Sequence, residues 1–189
     1  LYNEPTLAAE WDGREVDLAL YRQHFMNAAQ QVYQVGGYIG IQEISPEHLH
    51  TLLTMIKAQA PYLLQEAFFL PHCYGSNHPP AYPYDDINQT TRATTIENDY
   101  NASVFCFLKY AQVWRDTVGF IPPMIMSEGG WATSILEDDR YPRISLEDHS
   151  QYHEAIFDWF SSGQLSNGQP LPDYLFAITP WLIGGGGQM

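Results

Sequence analysis

Apolar and polar positions fall into blocks along this chain, and the period changes from block to block. From Arg14 to Val35, Val16, Leu20, Ala28, Val32 and Val35 recur at helical spacing, with His24 on the same face and Phe25 widening it. Gly36-Gly37 supplies the stop. Tyr38 to Ile44 is a short β-rich run and reads as a strand. Ser45 as N-cap, Pro46 at the first helical position and Glu47 in the first turn predict a helix to about Gln59, burying Leu49, Leu52, Leu53 and Ile56. Residues 62–66 read as a further helical turn, and Ala67 to Cys73 as the next strand. Gly75 to Asp99 is rich in Pro, Asn, Thr and Tyr and shows no period. Asn101 to Val118 then reads as an amphipathic helix around Val104, Leu108, Ala111 and Trp114. Pro122-Pro123 introduces a strand from Met124 that runs into Glu128 and is broken by Gly129-Gly130. Ser145-Leu146-Glu147-Asp148 resembles a capping box and predicts a helix to about Ser161, and Tyr174 to Ile183 is the last strand.

Strand and helix alternate throughout, which implies an α/β fold with a parallel sheet covered by helices. The longest loops follow strands, so the functional face is expected at the carboxyl ends of the strands. Glu128 ends such a strand. Leu1 to Pro5 reads as the tail of another strand whose beginning is missing, and it too ends in a glutamate, Glu4. Two strand-end glutamates suggest a carboxylate pair.

Composition narrows the partners. The 189 residues suffice for one domain with a real core. Eight basic against 22 acidic residues, a formal charge of −14, argue against nucleic acid and anionic membranes, both of which demand basic patches. The balance suits a soluble enzyme acting on a neutral substrate. No run of eighteen apolar residues is present to span a membrane. Cys73 and Cys106 each fall in an apolar stretch and read as buried free thiols. No signal peptide is visible, and a chain read as starting mid-protein leaves its compartment open, secretion included.

Asn3-Glu4-Pro5 resembles the Asn-Glu-Pro acid/base motif on the fourth strand of clan A retaining glycoside hydrolases, which are TIM (β/α)8 barrels. Counting from there, the sixth strand ends in His72-Cys73-Tyr74, similar to the His-x-Tyr of many clan members, and the seventh ends in Glu128, where the clan keeps its nucleophile. Trp181 on the eighth matches a substrate-platform tryptophan. The resemblance implies a partial TIM barrel: residues 1–189 as a single domain, the C-terminal half of the barrel from the end of strand four to strand eight, with the N-terminal half missing. It implies a hydrolase that cleaves a β-linked glycoside, oligosaccharide or polysaccharide by double displacement, with no metal and no cofactor. Glu4 would be the acid/base, Glu128 the nucleophile, and Asn3 a partner of the sugar 2-hydroxyl. Tyr74 or His72 would orient Glu128, and Trp131 and Trp181 would offer stacking surfaces. A half barrel alone is expected to be inactive and prone to aggregation.

Plainer readings stand beside these. Glu4 could be solvated surface, Trp131 core cover, His72 structural, and Glu43 a loop residue in water. His149 and His153, four apart on a helix, read as surface histidines. A barrel that binds carbohydrate without cleaving it, or serves as a scaffold, is the alternative function. A metal-dependent hydrolase ranks below both, since His72 is the one histidine well placed at a strand end.

Overall fold

Helices start and stop where their caps dictate. Helix α1 (Leu18–Gln34) begins where the Asp17 carboxylate accepts the Ala19 and Leu20 amides, and it ends before Gly36, at φ +76°. Helix α2 (Pro46–Gln59) is capped by the Ser45 hydroxyl. Helix α5 (Leu146–Ser162) opens with a complete Ser145/Asp148 capping box. Helices α3 (Asp86–Thr91) and α4 (Cys106–Val118) lie between them, α3 within the stretch read as aperiodic.

The computed structural model describes residues 3–91, 94–133 and 135–180. They form a mixed α/β structure that divides into two units, one of residues 1–71 and 110–125, the other of 72–109 and 126–189. The first contains parallel strands β1 (Ile39–Ile41) and β2 (Ala67–Phe69), in register Ile39 to Ala67, and the start of β4 (Met124–Met126), where Phe69 faces Met124. Leu49, Leu52, Leu53 and Ile56 are each at most 1% exposed, as their spacing predicts. Each contributes roughly 1.5–3 kcal/mol by leaving water. Phe69 packs on Tyr110 and Trp114, with centroids at 5.1 and 6.3 Å.

The second unit holds β3 (His72–Tyr74) parallel to β5 (Glu128–Gly130), pairing His72 with Glu128, Cys73 with Gly129 and Tyr74 with Gly130. Here β6 (Leu175–Ile178) follows α5, and the Thr179 amide just beyond it donates to the Met126 carbonyl at 2.8 Å. Phe105 stacks on Trp159 at 5.4 Å to make its core.

Some expectations need correction. The single strand from Ala67 to Cys73 is two strands, because Pro71 has no amide proton to continue a ladder. The run from Met124 likewise divides, between Met126 and Glu128. Helix α1 buries Tyr21, Phe25, Met26 and Ala29, while Leu20, His24 and Val35 are exposed. The buried stripe lies one residue along from the expected one, where the bulkier side chains are. Asn3 to Pro5 lie in a bend and turn rather than a strand, and Leu1, Tyr2, Trp181 and the terminal glycine run lie outside the described residues. Cys73 and Cys106 are buried free thiols, as expected. Among the described residues no helix is long and apolar enough to cross a membrane. The structure contains parallel strand pairs together with helices, an α/β arrangement.

Candidate active site

Glu128 opens β5 directly opposite His72 on β3. Successive strand residues point to opposite faces, so His72 and Tyr74 share the face next to it. The Tyr74 hydroxyl donates to Glu128 Oε2 at 2.6 Å, and His72 Nδ1 stands 3.6 Å from the same oxygen. His72 is buried, whereas the Glu128 side chain keeps 22% of its surface. The carboxylate is therefore oriented by a short charge-assisted hydrogen bond and still open to a ligand.

The two glycines after it answer to close packing. A Cβ on Gly129 would sit 2.6 Å from the Cys73 carbonyl oxygen, in the backbone of the neighbouring strand. Gly130, at φ +104°, leaves no room beside His153 Nε2. Trp131 follows, 2% exposed, with its indole N–H on the His78 carbonyl at 2.7 Å and its ring against Tyr152 and His153. It covers the core of its unit and offers no open stacking face.

His153 also departs from the surface histidine expected of it. It is 6% exposed, and Nδ1 donates to the His149 carbonyl at 2.7 Å. Nε2 has no hydrogen-bond partner among the described residues, and burial holds the ring below the ordinary histidine range.

Asn3, Glu4 and Pro5 belong to the first unit. Glu4 adopts φ +35°, a left-handed conformation that costs a non-glycine residue about 1–3 kcal/mol. Its amide is held by Gln42, whose Oε1 accepts at 2.6 Å. The exposed Asn3 amide reaches Glu10 at 3.4 Å, and the Trp11 indole N–H donates to the Pro5 carbonyl at 2.8 Å. A cavity of about 340 Å³ adjoins this turn, lined by Asn3, Pro5, Glu10, Trp11, Tyr21 and His24 among others. Its size is at the small end of ligand pockets.

Glu43, expected in water, is fully buried. Among the described residues, neither carboxylate oxygen meets a hydrogen-bond partner of normal geometry. Burial pushes the group from 4.5 up to about 7, while Arg22 and the Tyr21 hydroxyl lie near enough to offset part of the effect. The folded chain thus holds this proton more tightly than the unfolded chain, so ionisation opposes folding. Stability contributed by the neutral acid is lost as pH rises from about 4.5 to about 7. Glu43→Gln keeps the shape without the charge, and above that window it should be about 3 kcal/mol more stable than the parent. Denaturant melts of both proteins across the window check this, and parallel pH profiles would contradict it.

The loop after β5 is tied down within its own unit. Asn77 Nδ2 donates to the Asp138 and Tyr141 carbonyls at 2.8 and 3.1 Å, and Ser76 donates to Glu137 at 2.6 Å. The bidentate Arg140 guanidinium holds Asp138 far below the ordinary carboxylate range. Asp138 and Asp139 line a polar cavity of about 600 Å³ with Ser76, His78 and Asp99. This network braces the loop that follows the Glu128 segment.

Comparison with protein-family models, with curated proteins and with solved structures gave no match. Of the residues singled out by sequence, His72, Tyr74 and Glu128 come together on β3 and β5. Asn3 and Glu4 lie in the other unit, and Trp181 is outside the described residues. Sequence reasoning passed over Gln42 and Trp11. Gln42 lies within the run predicted as a strand to Ile44 but follows β1, and Trp11 ends a 3-10 turn at Ala8–Trp11.

Proposed function

We propose that this chain carries the catalytic carboxylates of a retaining glycoside hydrolase with a TIM-barrel fold, acting on a β-linked sugar. The observation that carries this reading is Glu128, a partly open carboxylate at a strand end with the Tyr74 hydroxyl 2.6 Å from one oxygen. That hydrogen bond fixes the direction of the carboxylate, as attack on an anomeric carbon requires. Support also comes from the order of motifs along the chain and from Glu4, whose left-handed backbone is held by a buried side chain. Strain at a carboxylate is a common mark of a functional position.

In this reading Glu4 protonates the leaving oxygen while Glu128 attacks the anomeric carbon, forming a glycosyl–enzyme ester and releasing the aglycone. Glu4 then takes a proton from water as that water attacks the anomeric carbon, which breaks its bond to Glu128 and frees the carboxylate. The mechanism requires carboxyls about 5–5.5 Å apart. Asn3 would hydrogen-bond the sugar 2-hydroxyl.

The deciding experiment treats the intact protein with aryl β-glycosides and with fluorosugars, whose ester intermediates turn over slowly. Peptide mapping is expected to find one sugar on Glu128. A label on another residue reassigns the nucleophile. Sugar binding without label or turnover would favour a carbohydrate-binding protein instead.

A further inference from the structure

His78 is 2% exposed, and each of its ring nitrogens faces an acceptor. Nδ1 lies 2.9 Å from the Ala102 carbonyl oxygen and Nε2 lies 3.2 Å from Asp138 Oδ2. A backbone carbonyl has no proton to give. Neither has the Asp138 carboxylate, which the Arg140 guanidinium bridges and holds ionised. A neutral imidazole carries one N–H and one lone pair, so either tautomer sets a lone pair against an acceptor in the interior. These partners call for a proton on both nitrogens. Burial opposes a charged ring, while the bond to Asp138 favours it. The carboxylates of Asp99, Glu137 and Asp139, which line the polar cavity with His78, act in the same direction. The charge of Arg140 is taken up by Asp138. The other neighbours are rings. Tyr82 stacks on His78 at 3.7 Å and donates its hydroxyl to Asp99, and Tyr141 stands edge-on at 4.7 Å and donates to Asp85.

The ring lies where the segments after β3 and β5 meet. The His78 carbonyl accepts the indole N–H of Trp131, and the neighbouring Asn77 Oδ1 accepts the Glu137 and Asp138 amides. We propose that His78 is a protonation-dependent latch: its imidazolium ties Asp138, in the loop after β5, to the Ala102 carbonyl, and loss of one ring proton releases that tie. While both nitrogens carry protons, both bonds form. As pH rises and one proton leaves, one acceptor is left unmet and the loop following Glu128 is held by fewer bonds. The latch does not depend on which reaction Glu128 performs.

The experiment titrates the intact protein from about pH 5 to about pH 8 by ¹⁵N NMR of the histidine rings. Backbone amides of residues 137–141 and the Trp131 indole N–H are recorded in parallel. His78→Gln identifies the ring signals by their absence, and it should abolish the shared pH response of these loop amides. In the parent, the loop amides and the indole proton are expected to shift with the same midpoint as the His78 ring. Asp138→Asn offers Nε2 an amide in place of a carboxylate, and the ring midpoint should fall by about one unit or more. An unchanged midpoint in Asp138→Asn would overturn the latch, as would loop amides that stay still while the ring titrates. A ring that keeps both protons across the whole range would show a fixed charge and overturn the release. If melts show that Asp138→Asn is unfolded, the parent titration decides between these outcomes by itself. None of the readouts is activity, so failure of the glycosidase reading and failure of the latch are separate results.

Discussion

Glu128→Gln is expected to lower turnover of aryl β-glycosides by on the order of 10⁴-fold or more. The loss is large because an amide oxygen cannot form a stable ester with the anomeric carbon. Binding should change little, within about threefold, since glutamine retains the size of glutamate and an oxygen to accept from Tyr74. Glycoside affinity by calorimetry, measured beside kcat, separates the two effects. Glu128→Ala adds a sharper test. It leaves a space in which a small anion such as azide can attack directly, and one displacement inverts the anomeric centre. An α-glycosyl azide from a β-glycoside is therefore expected. Turnover by Glu128→Gln at near-parent rates would place the nucleophile elsewhere.

Gly130→Ala is expected to cost about 3 kcal/mol or more and to lower the melting temperature by roughly 10 °C. Two effects add at this position. The backbone sits at φ +104°, which L side chains rarely adopt, and the new Cβ would meet His153 Nε2 at 2.3 Å. The ring has little freedom to retreat, being buried and bonded through Nδ1 to the His149 carbonyl. Gly168→Ala is the control. It shares a positive φ, +81°, but has nothing within 4 Å, so only the backbone cost of about 1 kcal/mol remains. Equal melting shifts in the two variants would show that the contact with His153 contributes nothing. Since Gly130 is two residues from Glu128 and pairs with Tyr74, activity should fall together with stability.

The helices were legible because their signals are local. Ser45-Pro46 and Ser145 with Asp148 satisfy helix-end amides within one turn, and the Leu49, Leu52, Leu53 and Ile56 stripe needs only the 3.6-residue period. The same period was less decisive in α1. There two adjacent stripes are both partly apolar, and packing chose the one carrying Tyr21 and Phe25. The strand breaks at Pro71 and after Met126 were harder to see, because apolar runs continue through or up to them while the ladders do not.

At the candidate site, sequence alone determined which residues carry the chemistry worth testing. Glu128 before two glycines, His72 and Tyr74 two apart, and the Asn3-Glu4-Pro5 turn all stand out as short local patterns. Tertiary structure decided which of them touch and which polar groups are buried. It joined Tyr74 to Glu128 across parallel strands, turned Trp131 and His153 into core residues, and enclosed Glu43. It also set Gln42 against the Glu4 amide. Caps and periodicity act within a few residues, whereas burial and strand register depend on segments distant in sequence, which no local pattern encodes.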